Sequence, residues 1–321
     1  MIKMKNILMV SSNRLGDSIL SSGLHKYFKR KEENTRVTLV CGETPSELFK
    51  HCNNIDELIV LKKKRFALHW FILWPKIFFK KWEIIIDLRG TIISFFLFSK
   101  LILKYKNKRK SKNHKVEDIT KDITGRILPP SISLQNNQKF KGDNLTKIKN
   151  LSKKNNFIMI APTANWSGKI WPSERFLNLI SILKEKKSYK NTIFIIVGPK
   201  NEKHLIKKLL DSDKKYLFDL FGKCPLIEIF YIMKLCRLFI GNDSGLMHMA
   251  SLAEIKTIGL FGPSDKNKYR PWGSQNVVIS SSKSPDDLMG HKNFKAKDSE
   301  SLMLDLSVDK VLKEVISNFD R

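Results

Sequence analysis

At 321 residues the chain has room for two domains of ordinary size, and 42% hydrophobic with 10% aromatic residues suffices for real cores, which excludes global disorder. Its charge is lopsided, with 59 Lys+Arg against 31 Asp+Glu for a net +28, and residues 1–150 carry the denser share (31 basic − 13 acidic = +18). Such a field favours polyanionic partners, namely nucleic acid, an anionic membrane surface or a phosphorylated substrate, and does not choose among them.

The first apolar run, Ile7–Ser11, follows a basic start. Because Ser-Ser-Asn-Arg-Leu-Gly-Asp comes next, with no cleavage site of small residues, it reads as a buried strand and not as a signal segment. Asp17–Arg30 reads as a helix, Arg36–Cys41 as a strand, Ser46–Cys52 as a helix and Leu58–Leu61 as a strand. Phe66 to Phe79 is the most apolar stretch, but 14 residues broken by His69, Pro75 and Lys76 fall short of the ~20 needed to span a bilayer. Lys62-Lys-Lys-Arg65 and Lys80-Lys81 flank it, with Trp70, Trp74 and Trp82 nearby. That composition suits either a segment lying in an anionic leaflet or a core helix with solvated lysines. Glu83–Leu88 is a further strand, followed by a helical run to about Leu103.

Between Lys104 and Asn150 the pattern decays into polar residues, with a helix at Val116–Arg126, Pro129-Pro130, and a linker over 127–150. Alternation then resumes with strand Phe157–Ala161, helix Ser173–Glu185, strand Thr192–Val197, helix Glu202–Leu210 and a short strand near Phe218. Helix Leu226–Cys236, strand Leu238–Gly241, helix Gly245–Leu252 and strand Thr257–Phe261 follow, and a last helix, Val308–Asn318, could pack on either half. Strand–helix alternation implies parallel sheets covered by helices on both faces. The expected fold is α/β, with two Rossmann-like, doubly wound domains, 1–150 and 151–321, facing each other across a cleft. The four cysteines, Cys41, Cys52, Cys224 and Cys236, form no C-x-x-C, so no disulfide framework or zinc site is indicated and a reduced cytosol is the natural setting.

Open α/β sheets bind ligands at the carboxyl ends of their strands, so the loops after strands matter most. Ser11-Ser-Asn-Arg-Leu-Gly-Asp17 is the first. Gly16 allows a sharp turn there, and Asp17 serves either as a helix N-cap or as a general base for an attacking hydroxyl. In the loop Ala161–Ser173, Lys169 sits near a helix start and could neutralise phosphate. In Gly241-Asn-Asp-Ser-Gly-Leu-Met-His248 a strand runs directly into a helix, a ready anion site. Neither G-x-x-x-x-G-K-[ST] nor G-x-G-x-x-G is present, and no residue cluster has metal-ligand spacing.

The set Arg14-Leu-Gly-Asp17, Ile86-Asp-Leu-Arg-Gly90, Lys169-Ile-Trp-Pro-Ser-Glu-Arg-Phe176, Gly241-Asn-Asp-Ser-Gly-Leu-Met-His248-Met-Ala and Phe261-Gly-Pro-Ser264 resembles, in this order, glycosyltransferase family 9. These are the ADP-heptose:lipopolysaccharide heptosyltransferases, with the GT-B fold. The resemblance implies an inverting, metal-independent enzyme that moves heptose from ADP-heptose to a lipid A–Kdo type acceptor in lipopolysaccharide core biosynthesis. It implies Asp17 as catalytic base and Lys169 as the lysine on the donor diphosphate. Asp243, Ser244, Gly245 and Leu246 would make the remaining donor contacts, with His248 beside them and Glu202 as a ribose ligand. Arg14, Gly16, Asp87 and Arg89 are the acceptor-side candidates. The partners implied are a nucleotide sugar, an anionic glycolipid and the cytoplasmic face of the inner membrane, met through 62–82. Neither a cofactor nor a metal nor nucleic acid is implied.

The chain departs from the family pattern at Lys266, Ser264, Arg89 and Gly23, the last standing where proline is usual. Two other readings remain: a GT-B transferase using another nucleotide sugar and acceptor, and a non-enzymatic binder of anionic surfaces or nucleic acid on a degenerate scaffold.

Overall fold

The computed structural model describes residues 4–31, 34–62, 69–106, 111–134, 140–212, 214–290, 294–296 and 299–319. They fall into two compact units, Met1–Lys139 and Phe140–Arg321.

In the first unit five parallel strands, β1 (Lys5–Val10), β2 (Thr35–Gly42), β3 (Glu57–Leu61), β4 (Trp82–Asp87) and β5 (Ser99–Lys104), lie in the order β3-β2-β1-β4-β5. Their near-continuous apolar runs are what a parallel sheet covered on both faces requires. Side chains alternate between the two faces. Ile7 and Met9 join Val37, Leu39 and Ile86 on one side, under Leu24 and Phe28 of α2 (Gly23–Lys31), Phe49 of α3 (Glu43–Phe49) and Ile119 of α5 (Lys115–Thr124). Leu8 and Val10 join Val40, Ile59 and Ile85 on the other, under Leu73 and Ile77 of α4 (His69–Phe78). A glycine ends α5: Gly125, at φ 71°, takes the left-handed conformation that closes a helix, and its N–H donates to Lys121.

Two expectations change here. The helix over Asp17–Arg30 is two, α1 (Leu15–Leu20) and α2, broken at Ser21 and Ser22. Ser21 folds its hydroxyl back onto the carbonyls of Asp17 and Ser18, the local competition that lets serine interrupt a helix. The run after β4 is not helical to Leu103; it makes one 3-10 turn, Ile93–Phe96, and then the edge strand β5, paired with β4 from Trp82↔Ser99 to Asp87↔Lys104. A short apolar run rich in Ile and Phe fits either period, and the free edge of β4 decides it. Of the Phe66–Phe79 stretch, Leu73 and Ile77 are core, while 63–68 lie outside the described residues.

The second unit has six parallel strands: β6 (Asn156–Ala161), β7 (Thr192–Ile196), β8 (Leu217–Asp219), β9 (Leu238–Asn242), β10 (Lys256–Phe261) and β11 (Val277–Ser280). Their order is β11-β10-β9-β6-β7-β8. α7 (Ser173–Glu185), α9 (Leu226–Met233) and α10 (Gly245–Leu252) are its principal covering helices, while α8 (Lys207–Leu210), α11 (Lys266–Tyr269) and α12 (Pro285–Met289) are short. The boundary falls at 139/140 and not at 150, because both ends of the expected linker are built into a unit. Leu128, Ile132 and Leu134 pack on the first core, and Ser131 N–H donates to Ser22 Oγ at 2.9 Å. Asp143–Leu151 forms α6, whose Leu145 and Ile148 are buried and whose Leu145 N–H donates to Glu228 Oε1 of α9 at 2.9 Å. Two buried residues in nine leave α6 looking like a polar tract in the sequence. The last helix, α13 (Val308–Phe319), packs on α7 in the second unit, setting Val311, Val315 and Phe319 into the core at a spacing of four.

In each unit the strand order reverses once, between β1 and β4 and between β6 and β9. A doubly wound sheet leaves its ligand crevice outside the carboxyl ends at that switch point.

Candidate active site

In the first unit, β1 and β4 end side by side at the switch point, and their loops carry the expected residues. Asp17 is not the N-cap of α1. Arg14 holds that place without a side-chain cap, and Asp17 is the third helical residue, where its charge complements the helix dipole. Its carboxylate is half-buried and accepts a 3.4 Å hydrogen bond from Ser12 Oγ, which in turn accepts from Arg14 N–H. Gly16 is half-buried and Arg14 exposed in the same turn.

Asp87, at the end of β4, is fully buried. Its Oδ1 accepts from the Arg89 N–H at 3.0 Å, while Oδ2 accepts from Thr91 N–H, Thr91 Oγ1 and Ser94 Oγ at 2.7–3.0 Å. Four donors and complete burial engage this carboxylate, so Asp87 shapes its loop. Arg89 is exposed, donates to Asn13 Oδ1 at 3.1 Å, and so ties the β4 loop to the β1 loop. Burial of part of its guanidinium lowers its pKa from the ordinary value, and the Asp87 charge opposes that shift.

In the second unit the corresponding loops follow β6 and β9. Lys169 lies on a 3-10 turn, Ser167–Lys169, and its Nζ reaches Asp243 Oδ2 at 2.6 Å. The side chains are 25% and 8% exposed, so this charge-assisted bond sits largely out of water and is worth more than a surface pair. The backbone around the pair is held firmly. Trp171 N–H donates to Asn242 Oδ1 at 3.0 Å, Trp171 Nε1 to the Leu306 carbonyl at 2.8 Å, and Asp243 N–H to the Leu260 carbonyl at 3.1 Å.

Ser244 is the N-cap of α10, but its hydroxyl makes no cap bond, so the first amides of that helix, at Gly245 and Leu246, have no side-chain acceptor. Ser244 Oγ, Asn242 Nδ2 and Ser264 Oγ are buried without a hydrogen-bond partner. Orphaned polar atoms are rare in folded chains, and three at the carboxyl ends of two adjacent strands mark a place shaped for a polar ligand. Gly245 and Leu246 are half-buried and His248 is buried one turn into α10. Glu202 follows β7 on the 3-10 segment Lys200–Ile206; burial raises its carboxyl pKa, while a hydrogen bond from the Thr163 side chain and the charge of His204 pull it back. The second unit thus carries one ammonium, uncapped helix amides and orphaned hydroxyls in the segments that follow β6, β9 and β10, a set suited to a phosphate-bearing ligand. Among the described residues no group of three or more His, Cys, Asp or Glu is placed to hold a metal ion.

Asn242 and Thr163 were not singled out from the sequence. Each stands at or just beyond the carboxyl end of a strand, a position that could have marked it once β6 and β9 were paired.

The family model for glycosyltransferase family 9 (heptosyltransferase) matches residues 100–299. Lipooligosaccharide heptosyltransferase 2 of Campylobacter jejuni is 26% identical over 282 residues, 83% of this chain and 84% of its own length. The solved ADP-heptose lipopolysaccharide heptosyltransferase II of Escherichia coli superposes with a TM-score of 0.74 at 16% identity, covering 98% of both chains. An E. coli heptosyltransferase solved with ADP gives a TM-score of 0.72 at 15% identity, covering 98% of this chain and 99% of its own. The structural likeness shows the GT-B fold.

Proposed function

Because this chain belongs to glycosyltransferase family 9, the heptosyltransferases, we propose that it transfers heptose from ADP-heptose to an inner-core hydroxyl of lipopolysaccharide, of the lipid A–Kdo type. The observation that carries this reading is the Lys169–Asp243 pair set beside the uncapped start of α10. A nucleoside diphosphate leaving group develops negative charge as its bond to sugar breaks. Lys169 Nζ and the amides of Gly245 and Leu246 supply preorganised positive charge for it, the work a metal ion does in other transferases. Asp243 steers the Lys169 ammonium, and Ser244 Oγ and Ser264 Oγ add hydrogen bonds to phosphate or sugar. Glu202, held by Thr163, accepts from ribose hydroxyls.

Asp17 of the first unit takes the proton from the acceptor hydroxyl. That oxygen attacks the anomeric carbon, the bond from that carbon to the diphosphate oxygen breaks, and ADP leaves with the electron pair. A single displacement inverts the anomeric configuration and needs no bound metal. The acceptor is carried on lipid, so the enzyme works at a membrane surface, the cytoplasmic face of the inner membrane. Among the described residues no helix is long and apolar enough to cross a membrane.

Calorimetric titration with a nucleotide panel tests the donor assignment. ADP is expected to bind in preference to UDP with EDTA present, and Lys169→Met to weaken ADP at least about tenfold through loss of a charged hydrogen bond. Clear UDP binding without ADP binding would move the chain to a different sugar donor.

A further inference from the structure

Exposed apolar side chains in the described residues are not evenly spread. Phe79, Ile92, Phe95, Phe96, Phe98 and Leu101, each between 47% and 84% exposed, gather along the β4–β5 edge of the first unit, while the others, such as Met4, Ile127 and Leu304, are scattered. The rings form a connected set. Phe96 lies against Trp74 at 5.9 Å, Trp74 stacks on Phe78 at 4.8 Å, and Phe78 touches both Phe79 and Phe98 at 5.2 and 5.7 Å. A grouped apolar surface of this kind marks an interaction site, whereas single exposed residues do not.

Its surroundings are cationic. Lys76 and Lys81 are exposed and make no ion pair among the described residues, Lys104 Nζ lies 3.3 Å from the centroid of the Phe95 ring, and Lys100 stands on β5 beside Leu101. Glu83 is the neighbouring carboxylate and is already paired with Lys100 at 2.9 Å. Aromatic rings among lysines whose stems cover apolar surface are the composition of a segment that sits among anionic headgroups. Lysines at 100 and 104 also discourage the edge strand β5 from pairing with a second copy. Placement adds a reason. The Asp87 carboxylate that holds Thr91 and Ser94 anchors the 3-10 turn from which Phe95 and Phe96 project, so this surface begins a few residues beyond Arg89, in the same loop.

We propose that the edge running from Phe79 to Leu101, and not the 62–82 segment as a whole, is the surface by which the chain rests on an anionic bilayer leaflet. The rings enter the headgroup layer and the lysines meet lipid phosphates. The inference rests on the proposed lipid-borne acceptor for its purpose and on this surface for its chemistry.

Co-sedimentation of the full chain with vesicles of phosphatidylcholine, with and without phosphatidylglycerol, tests it. The unmodified chain is expected to pellet with the phosphatidylglycerol vesicles and to be partly released by salt. The combined variant Phe79→Ser, Phe95→Ser, Phe98→Ser is expected to partition at least about tenfold more weakly, since it loses three inserted rings, with its thermal unfolding unchanged. Lys76→Glu with Lys81→Glu should weaken binding to the anionic vesicles. Three results would overturn the proposal: a triple-serine variant that pellets as well as the parent, a parent indifferent to phosphatidylglycerol, or a parent that dimerises without vesicles through the same rings. Turnover of a delipidated core oligosaccharide separates the two readings. Its absence in the parent would sink heptosyl transfer and leave the vesicle result standing.

Discussion

Asp17 and Asp87 are alike in the sequence, each an acidic residue in a loop region next to the carboxyl end of a strand, and they differ in what surrounds them. Asp87 is sealed by four donors, whereas Asp17 accepts one long hydrogen bond from Ser12 and stays half-exposed on the switch-point side of its sheet. Of the two, only Asp17 is open to solvent with most of its lone pairs unengaged, as taking a substrate proton requires. Asp17→Asn is therefore expected to lower kcat by about 10²–10⁴ while leaving ADP affinity unchanged, as initial rates and calorimetry would show. Asp17 was legible from its place before a helix; the role of Asp87 was not, because its partners at 91 and 94 become visible only when the loop is folded. A second residue-scale effect concerns stability. His25 is fully buried edge-on to Phe49 at 5.1 Å, and burial lowers its pKa from 6.5 to about 4. The unfolded chain then takes up the proton first. Stability is complete above pH 6.5 and falls as pH drops toward 4, by about 3 kcal/mol in all from this group. Urea unfolding across that window should show the fall in the parent and a shallower one in His25→Phe.

At the scale of elements, the strands that made long apolar runs were legible and the short or half-polar elements were not. β5 begins Ser-Lys and has Leu101 facing solvent, α6 buries two residues in a polar tract, and β11 is four residues long. Each is fixed by a neighbour distant in the chain and not by its own pattern: β4 for β5, Glu228 for α6, and β10 for β11. The start of α2 shows the same dependence. Gly23 lies against the segment that returns from α5, and a Cβ there would run into the Pro129 carbonyl oxygen and lie 3.0 Å from that of Leu128. Alanine would add about 0.5–1 kcal/mol of helix propensity in a helix interior, less at a first position, against about 1–3 kcal/mol for forcing rigid backbone apart. Gly23→Ala is expected to lower the denaturant midpoint with the m-value unchanged, a net loss of about 1–2 kcal/mol.

For the whole molecule, the repeated alternation of strands and helices announced two doubly wound units, and both sheets have the same reversal of strand order. The net charge of +28 announced a polyanion without saying which. In the folded chain that charge separates into two roles. Lys169 is drawn inward to Asp243, while lysines around the β4–β5 edge stay outside among exposed rings. The central claim is that the second unit holds ADP-heptose, that Asp17 of the first activates an acceptor hydroxyl, and that no metal takes part. Mass spectrometry of a lipid A–Kdo acceptor incubated with the purified chain, ADP-heptose and EDTA tests this most directly. The account predicts an acceptor heavier by one heptose, ADP released one for one, and both products formed at least about a hundredfold more slowly with Asp17→Asn. An unchanged acceptor under conditions where ADP binds, or transfer that appears only when a divalent metal is restored, would contradict it.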